Sequence, residues 1–390
     1  MSLRILTAGE SHGRALTGIL DGMPAGVKVA CEDFTAVLER RRQGYGRGPR
    51  QQIEKDEVRV TAGLSAGYTT GAPISLLVEN TAHNDLHDCM HPFVEPDQQK
   101  LAITVPLPGH ADLAGVLKYG LNDCRNIRER ASARETVMRT ALSVPPRCLL
   151  RELGIESVCL LEQLASVTAE IDYQRDPAAL AAMVAEAGAD FLTPDKNVTA
   201  TWKTLVDSAA AANKSLGGTA AVIFWNLPAG LGSHNQHDLR LDARLAALLM
   251  SIPAVRGVEV GMARQQAHGQ CPAADPITFS SEAGWSRTSN YAGGLEGGMT
   301  NGEPLILRFH MKPLPANAGL PSVDLRTGQP AAPSFYRSDT QALTAAAVVA
   351  ESVVAIELAS QLLEMTGGCT LDQIRKRCEE LRASQKRLSR

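Results

Sequence analysis

Residues 107–139 contain two acid–base candidates followed by a series of arginines. A Pro-Gly turn at 108–109 presents His110 and Asp112. The arginines that follow are Arg125, Arg128, Arg130, Arg134 and Arg139. Helical residues four apart share a face, so Arg130 and Arg134 are expected to lie together, with few acids near them in the sequence. Guanidinium groups bind phosphate and carboxylate through paired hydrogen bonds. The segment therefore predicts an anion site, with a solvated helix face as the alternative.

Two further positions carry side chains suited to acid–base chemistry. His12 lies in the motif GESHG, whose glycines let a ligand approach the backbone closely, although a lone histidine is also a common structural residue. Asp339 precedes a strongly apolar segment, residues 344–365, which predicts a buried helix. Asp339 is therefore either a site residue or the cap of that helix.

A basic helix end that includes Arg41 leads into a glycine-rich loop at residues 44–50. Arg47 and Arg50 in this loop are expected to close over an anionic ligand, and the alternative is a disordered basic loop. The pattern is not a Walker loop, because no GxxxxGK[ST] motif occurs. His83, His87 and His91 have metal-ligand spacing, but the Asn, Asp and Pro residues around them favour an exposed loop, and no metal site is predicted.

Composition excludes several functional classes. The net charge is −3 and aromatic residues make up 4% of the chain, which argues against nucleic acid as a partner. Charged residues at 21% and hydrophobic residues at 44% are typical of a globular protein, and neither a signal peptide nor a membrane span is evident. The eight cysteines show no CxxC pair or regular spacing. We therefore expect a reduced, cytoplasmic protein that does not bind a membrane.

Two stretches of the sequence recur in the same order. Residues 67–76 (GYTTGAPISL) resemble residues 298–307 (GMTNGEPLIL), and residues 23–26 (MPAG) resemble residues 227–230 (LPAG). Repeats in one order indicate two related halves, with coincidence as the alternative. We predict a single domain over residues 1–390, in which the helices and strands of both halves pack together.

Taken together, the motifs closely resemble the chorismate synthase family. The blocks that carry the resemblance include GESHG at 9–13, PGHADL at 108–113, residues 126–136, PAGLG at 228–232, MKP at 311–313 and RSD at 337–339. The resemblance implies an α+β fold, a single-domain β-α-β sandwich of antiparallel sheets around helices with an internal pseudo-duplication. It also implies assembly as a homotetramer.

The resemblance further implies a reaction and a set of site residues. The reaction is the anti-1,4-elimination of phosphate from 5-enolpyruvylshikimate 3-phosphate to give chorismate, with reduced FMN required although no net redox change occurs. The implied catalytic residues are His12, which protonates the leaving phosphate, His110 beside the flavin ring, and Asp339 as a proton relay. The implied FMN contacts are Arg130, Ala131, Ser132, Pro253, Ala254, Gly297, Lys312, Pro313, Leu314, Pro315, Ala316 and Arg337. The implied substrate or NADP contacts are Arg41, Arg47, Arg50 and Arg134, and whether NADPH serves as the reductant is left open.

Some positions depart from the family pattern. Where the family usually reads Arg-Pro-Arg-Pro-Gly-His, this chain has VPLPGH at 105–110, so Val105 and Leu107 replace two arginines. Other departures are Pro253, Ala316, Gln341 and Thr344. Loss of a charge-assisted contact costs about 2 kcal/mol or more. Two alternatives follow, a flavin-dependent paralogue acting on a related enolpyruvyl or cyclohexadiene acid, and a non-catalytic anion-binding protein.

Overall fold

Two antiparallel sheets enclose a layer of helices in the structure, a computed structural model that describes residues 2–48, 53–81, 91–93, 102–282, 284–315, 320–333 and 339–387. The first sheet has the order β1-β2-β6-β3, with β1 Arg4–Ala8, β2 Ala15–Asp21, β3 Val58–Ala62 and β6 Ile74–Glu79. The second has the order β8-β7-β9-β15-β10, with β7 Glu156–Leu164, β8 Val167–Thr168, β9 Gly218–Trp225, β10 Val255–Val260 and β15 Leu305–Met311. This arrangement confirms the predicted α+β sandwich.

Short hairpins extend from the two sheets. Their strands are β4 Leu64–Ser65 with β5 Tyr68–Thr69, β11 Ile277–Ser280 with β12 Gly284–Arg287, β13 Leu295–Glu296 with β14 Met299–Thr300, and β16 Ser322–Val323 with β17 Pro330–Ala331. The helices are α1 Cys31–Arg42, α2 Asp112–Tyr119, α3 Arg125–Ala131, α4 Thr136–Leu142, α5 Val144–Glu152, α6 Pro177–Ala187, α7 Val198–Ala211, α8 Leu241–Met250, α9 Ala263–Ala267, α10 Leu343–Thr366 and α11 Leu371–Gln385. A short 3-10 turn, Ala133–Glu135, separates α3 from α4.

Helix α10 is the centre of the helical layer, and it is buried, as its apolar sequence predicted. It packs against β7 and β9 of the second sheet and against α1, α4, α5 and α8. Its length and hydropathy would suit a membrane span, but 94% of its most apolar window is buried inside the protein. On the other side of the layer, α4 packs on β2, where a Cβ at Gly18 would lie 2.5 Å from Met138 Cγ. Glycine at this position therefore allows the helix to approach the sheet.

The strand registers confirm the internal duplication. The order β1-β2-β6-β3 in the first sheet corresponds to β7-β9-β15-β10 in the second. Gly18 pairs with Leu76 in the first sheet, and Val222 pairs with Leu307 in the second. Leu76 and Leu307 are the last residues of the repeated motif. The repeat in the sequence is therefore also a repeat in strand pairing.

The repeated turns are closed by the same hydrogen bonds. Thr69 Oγ1 donates to Pro24 O at 2.6 Å, and Thr300 Oγ1 donates to Pro228 O at 2.7 Å. Each hydroxyl also accepts from the backbone N–H three residues beyond that proline, at 2.9 and 2.8 Å respectively. Both threonines are buried. In both copies, therefore, the hairpin contacts its Pro-Ala-Gly turn through the same pair of hydrogen bonds.

Candidate active site

A cavity of about 560 Å³ lies where the two halves meet. Helices α1 and α8, which each follow a Pro-Ala-Gly turn, end beside it, and α10 begins there. Its described lining residues are Arg41, Arg47, Gly48, Ile53, Glu54, Ser132, Ala133, Arg134, Thr136, Ile252, Pro253, Met311, Leu314, Asp339, Ala342, Ala345, Ala346 and Val349. A larger groove of about 990 Å³ lies between α11 and the β11–β12 hairpin, but none of the predicted site residues is among its described lining residues.

Arg134 is held by three side chains on the wall of this cavity. Its guanidinium donates to Asn80 Oδ1 at 2.9 Å, to Glu54 Oε2 at 3.2 Å and to Asp56 Oδ1. Arg134 is 8% exposed, and Asn80, Glu54 and Asp56 are also buried. Asp56 has a φ of 54°, a left-handed conformation that aspartate tolerates better than most residues. The cluster fixes the Arg134 guanidinium at the edge of the cavity.

Arg41 lies next to this cluster. It donates to Thr136 Oγ1 at 2.9 Å and to Ala133 O at 3.0 Å, and it lies 3.9 Å from Asp56 Oδ2. Burial lowers the pKa of Arg41 to about 10, an effect that Asp56 opposes and the neighbouring cations reinforce. Arg41 therefore stays positively charged near neutral pH, and its charge faces the cavity.

The expectation that Arg130 and Arg134 share one helical face is wrong. Helix α3 ends at Ala131, because Ser132 is extended, with φ −63° and ψ 144°. The Ser132 hydroxyl then accepts from Arg134 N at 3.3 Å and starts the 3-10 turn. Arg130 consequently points to the first sheet, where it donates to Thr7 Oγ1 at 2.9 Å, while Arg134 is buried.

The expectation that the arginines of this segment have few acids near them is also wrong in three dimensions. Arg128 is paired with Asp112, and Arg139 is paired with Glu135 at 2.9 Å. Arg134 is neutralised by Glu54 and Asp56. The acids for Arg128 and Arg134 lie 16 to 80 positions away in the chain. Their proximity was therefore not visible from local sequence.

His12 lies against a buried carboxylate. Its Nδ1 is 2.9 Å from Glu129 Oε2, and its backbone N donates to the same oxygen at 2.7 Å. Burial would raise the pKa of Glu129, but the hydrogen bond and charge of His12 lower it overall. Ser11 is joined to Ser132 at 3.2 Å, which places the His12 loop beside the cavity wall. A carboxylate on Nδ1 orients the imidazole ring, as general acid chemistry requires.

His110 has the same kind of partner. Its Nδ1 is 2.6 Å from Asp112 Oδ1, while Asp112 Oδ2 accepts from Leu107 N at 3.0 Å and from Arg128 Nε at 2.9 Å. Burial would raise the pKa of Asp112, but the hydrogen bonds from His110 and Arg128 lower it overall. The turn is tied to the cavity side by Lys312 Nζ, which donates to Gly109 O at 3.2 Å.

Asp339 lines the cavity and does not cap α10. Its Oδ1 accepts from Gly48 N at 2.6 Å, and its Oδ2 forms an ion pair with Arg47 at 2.7 Å. Burial lowers the pKa of Arg47, and Asp339 counteracts part of that effect. The first N–H groups of α10 are satisfied by Gln341 instead. Of the two sequence interpretations of Asp339, the structure supports a residue of the cavity.

The residues implied as FMN contacts fall into three groups. Ser132, Pro253 and Leu314 line the cavity, and Ala254, with φ 69°, accepts from Lys312 N at 3.0 Å and so brings the Lys312–Pro315 segment alongside. Arg130, Ala131 and Gly297 do not line it among the described residues; Gly297 lies in the turn between β13 and β14. Two of the implied FMN contacts, Ala316 and Arg337, lie outside the described residues, as do the implied substrate contact Arg50 and the histidines His83 and His87.

Sequence reasoning missed the residues that hold the site residues. Asp56, Glu54, Asn80 and Glu129 contact Arg134 or His12, yet none was proposed as a site residue. The local signal that could have indicated them was Glu54 and Asp56 themselves, two acids that follow the basic loop at residues 44–50.

The cavity combines a charged wall with an apolar one. Arg41, Arg47 and Asp339 supply charged groups to its lining, and Ala345, Val349 and other small or apolar residues supply an apolar surface. Ligand sites of this kind, with a volume of roughly 300 to 1,000 Å³, bind a flat apolar body and orient it through a few polar groups. The geometry therefore suits a ligand with a ring system and anionic substituents.

Comparison with known proteins shows similarity over almost the whole chain. Residues 3–363 match the family model described as chorismate synthase. A protein named chorismate synthase from Trichlorobacter lovleyi is 44% identical over 383 residues, covering 96% of this chain and 97% of that protein. One of the same name from Pelobacter propionicus is 45% identical over 395 residues, covering 97% and 99%. A solved structure titled "Crystal Structure of Chorismate Synthase" has a TM-score of 0.79 at 33% identity and 99% coverage of both chains.

Proposed function

The chain belongs to the chorismate synthase family, whose members are lyases, and we propose that it eliminates phosphate from 5-enolpyruvylshikimate 3-phosphate to give chorismate. In this anti-1,4-elimination a proton and the phosphate leave opposite faces of the ring, and a second ring double bond forms without net oxidation. The observation that carries the proposal is the cavity between the two halves, which Arg41, Arg47 and Asp339 line and which the His12 and His110 loops flank.

The residues present fit reduced FMN. The apolar surface formed by Ala345, Val349 and Leu314 would pack against a flat ring, and Ser132, which also lines the cavity, has a hydroxyl for hydrogen bonding. Reduced FMN, when bound, supplies electron density that assists cleavage of the carbon–oxygen bond and is returned within the turnover. Pro253 and the Lys312–Pro315 segment would hold it from the side of the second sheet.

The two histidines and Asp339 are proposed to handle protons. A fully charged phosphate is a poor leaving group, so His12 would donate a proton to the departing phosphate oxygen while Glu129 fixes its ring through Nδ1. His110, oriented by Asp112, would hold a proton beside the flavin ring. Asp339 would relay the proton taken up there.

The arginines would act as a preorganised electrostatic wall. Arg41 and Arg134 are held by Asp56 and its neighbours, so they contribute a fixed field and require little rearrangement when a ligand binds. Arg47 is paired with Asp339, and we propose that it turns part of its guanidinium toward a ligand phosphate. NADPH as reductant, assembly as a homotetramer and a cytoplasmic location complete the proposal.

A second candidate function is favoured by Leu107. Its backbone N–H supports Asp112, but its apolar side chain replaces an arginine of the family pattern beside His110. The wall formed by Ala345 and Ala346 is also uncharged. A flavin-dependent paralogue acting on a related acid with one fewer anionic group is the candidate that these observations support.

An anaerobic turnover assay tests the proposal. The chain is mixed with 5-enolpyruvylshikimate 3-phosphate, FMN and dithionite, and phosphate and chorismate are measured, with and without NADPH replacing dithionite. His12→Gln is expected to lower kcat by about 10²- to 10⁴-fold, whereas the exposed control His268→Gln retains activity. FMN binding without release of phosphate would reject the first function in favour of the paralogue.

A further inference from the structure

Gln341 is a fully buried amide with every hydrogen-bonding group used. Its Oε1 accepts from Leu343 N at 2.9 Å and from Thr344 N at 3.3 Å. Its Nε2 donates to Tyr45 O at 2.7 Å and to Thr344 Oγ1 at 3.0 Å. Its exposure is 0%. A buried amide whose oxygen and both N–H groups all have partners fixes the groups around it, because each of those groups would otherwise be left without a partner.

The bond to Tyr45 O fixes the segment that carries Arg47. Gly44 and Gly46 have φ values of 123° and 80°, which only glycine adopts readily, so this backbone has many alternative conformations. Thr340 N donates to Gly46 O at 2.9 Å, and Gly48 N donates to Asp339. Residues 44–48 are therefore attached to residues 339–341 at three successive points.

On its outer side the same segment is attached to α7. The Tyr45 hydroxyl donates to Asp207 Oδ1 at 2.8 Å, and Tyr45 N donates to Asp190 O at 2.9 Å. The bond to Asp207 in α7 holds the tyrosine ring, and the bond to Asp190, which precedes α7, holds the Tyr45 backbone N–H. Gln341 instead holds the Tyr45 carbonyl. Gln341 is thus the described side chain that connects the Arg47 segment to the core helix.

We infer that Gln341 is a positioning residue, which keeps Arg47 and Asp339 in register by binding Tyr45 O while its own Oε1 anchors the start of α10. The inference rests on the proposed function, since the ligand that Arg47 meets is the substrate or cofactor proposed above. Arg47 and Asp339 themselves contact each other at 2.7 Å, so a shift of residues 44–48 would move Arg47 relative to Asp339.

The physical effect is on the fraction of molecules ready to bind. If the Arg47 segment occupies the binding conformation only part of the time, the apparent affinity falls by that fraction, whereas the bound complex reacts as before. Loss of one buried hydrogen bond is enough to lower this fraction about tenfold. Removal of the Gln341–Tyr45 bond is therefore expected to raise KM and leave kcat nearly unchanged.

Two variants separate positioning from helix capping. Gln341→Asn keeps a side-chain oxygen that can accept from the first N–H groups of α10, because asparagine is a strong cap, but its amide nitrogen is one methylene short of Tyr45 O. Thr344→Val is the matched control, since it removes one hydrogen bond of Gln341 and leaves the bond to Tyr45 in place. Both are made in the full chain and compared by steady-state kinetics and by hydrogen exchange.

Gln341→Asn is expected to raise KM about tenfold and to speed exchange in the peptide that contains residues 44–48, with exchange in the α10 peptides unchanged. Thr344→Val is expected to change KM less than about twofold. Equal KM and equal exchange in the two variants would overturn the inference. Faster exchange along α10 in Gln341→Asn would also overturn it, because Gln341 would then act only as a cap. If the unmodified chain shows no turnover, the proposed function fails, and the exchange measurement alone decides the role of Gln341.

Discussion

Replacing Asp56 with asparagine tests how the cavity holds its arginines. Asp56 is 4% exposed, binds Arg134 directly and lies 3.9 Å from Arg41. Asparagine has the same shape and also tolerates the left-handed backbone found at this position, where φ is 54°. The substitution therefore removes one buried negative charge and introduces little backbone strain.

The expected loss of stability follows from the partners that remain. Removing one partner of a buried ion pair costs about 3 to 5 kcal/mol, because the other charge is left uncompensated. Arg134 keeps Glu54 Oε2 at 3.2 Å and Asn80 Oδ1 at 2.9 Å, and the new amide oxygen can still accept from it. The hydrogen bonds that Arg41 keeps go to neutral acceptors, Ala133 O and Thr136 Oγ1. We therefore expect the free energy of unfolding to fall by about 2 to 3 kcal/mol.

Urea unfolding at fixed protein concentration measures this change, followed by fluorescence that includes the buried Trp202. The matched control is Glu79→Gln, which breaks the ion pair with Arg59, whose side chains are 67% and 68% exposed. Such a pair contributes at most about 1 kcal/mol. If Asp56→Asn and Glu79→Gln unfold at the same urea midpoint, the reasoning is refuted, because the buried acid would then not stabilise the arginines.

Four other substitutions have defined outcomes. Glu351→Gln removes a buried carboxylate. Burial would raise the pKa of Glu351, but Arg147 and Arg40 lower it overall from 4.5 to about 2. The unmodified chain should therefore be more stable than the variant above about pH 4.5, and this difference should shrink as pH falls toward 2. Ala345→Phe fills part of the cavity and should lower FMN affinity at least about tenfold in a fluorescence titration, with the unfolding midpoint nearly unchanged. Thr69→Val and Thr300→Val each remove two buried hydrogen bonds and should each cost about 2 kcal/mol in urea unfolding, additively in the double variant.

Each of these outcomes has a control. For Glu79→Gln, the difference in the free energy of unfolding from the unmodified chain should not shrink between pH 4.5 and 2, because that residue is exposed. Ala182→Phe on the exposed side of α6 should leave FMN affinity unchanged, and equal losses in both phenylalanine variants would contradict the cavity assignment. Thr61→Val removes an exposed hydrogen bond and should cost under about 0.5 kcal/mol. If Thr69→Val and Thr300→Val lower the free energy of unfolding by strongly unequal amounts, the two threonines do not have equivalent roles.

The elements that the sequence predicted well are those with local or repeated signals. The apolar run at residues 344–365 became α10, Leu343–Thr366, because a segment apolar on all sides has to be buried on all sides. The repeated hairpin motif predicted the duplication because each copy closes on its turn through a threonine. Such signals need no knowledge of distant parts of the chain.

The pairing of charges could not be predicted in the same way. Arg134 meets Glu54 and Asp56 through contacts between residues that lie 78 and 80 positions apart in the chain. One extended residue, Ser132, ends the helix and separates Arg130 from Arg134. A serine alone does not predict the end of a helix. The sequence left Asp339 as either a site residue or the cap of α10, and in the structure Gln341 supplies that cap.

These pairings change how the cavity is expected to bind anions. Arg41, Arg47 and Arg134 line it, but Asp56, Asp339 and Glu54 are close to them, so the described wall has no large excess of positive charge. An anionic ligand must therefore compete with a carboxylate for at least one guanidinium. Arg47 is the arginine best placed for this exchange, because Arg134 has three partners in the core while Arg47 lies on the segment that Gln341 holds. Ligand affinity should consequently respond more to the order of residues 44–48 than to the number of arginines in the sequence.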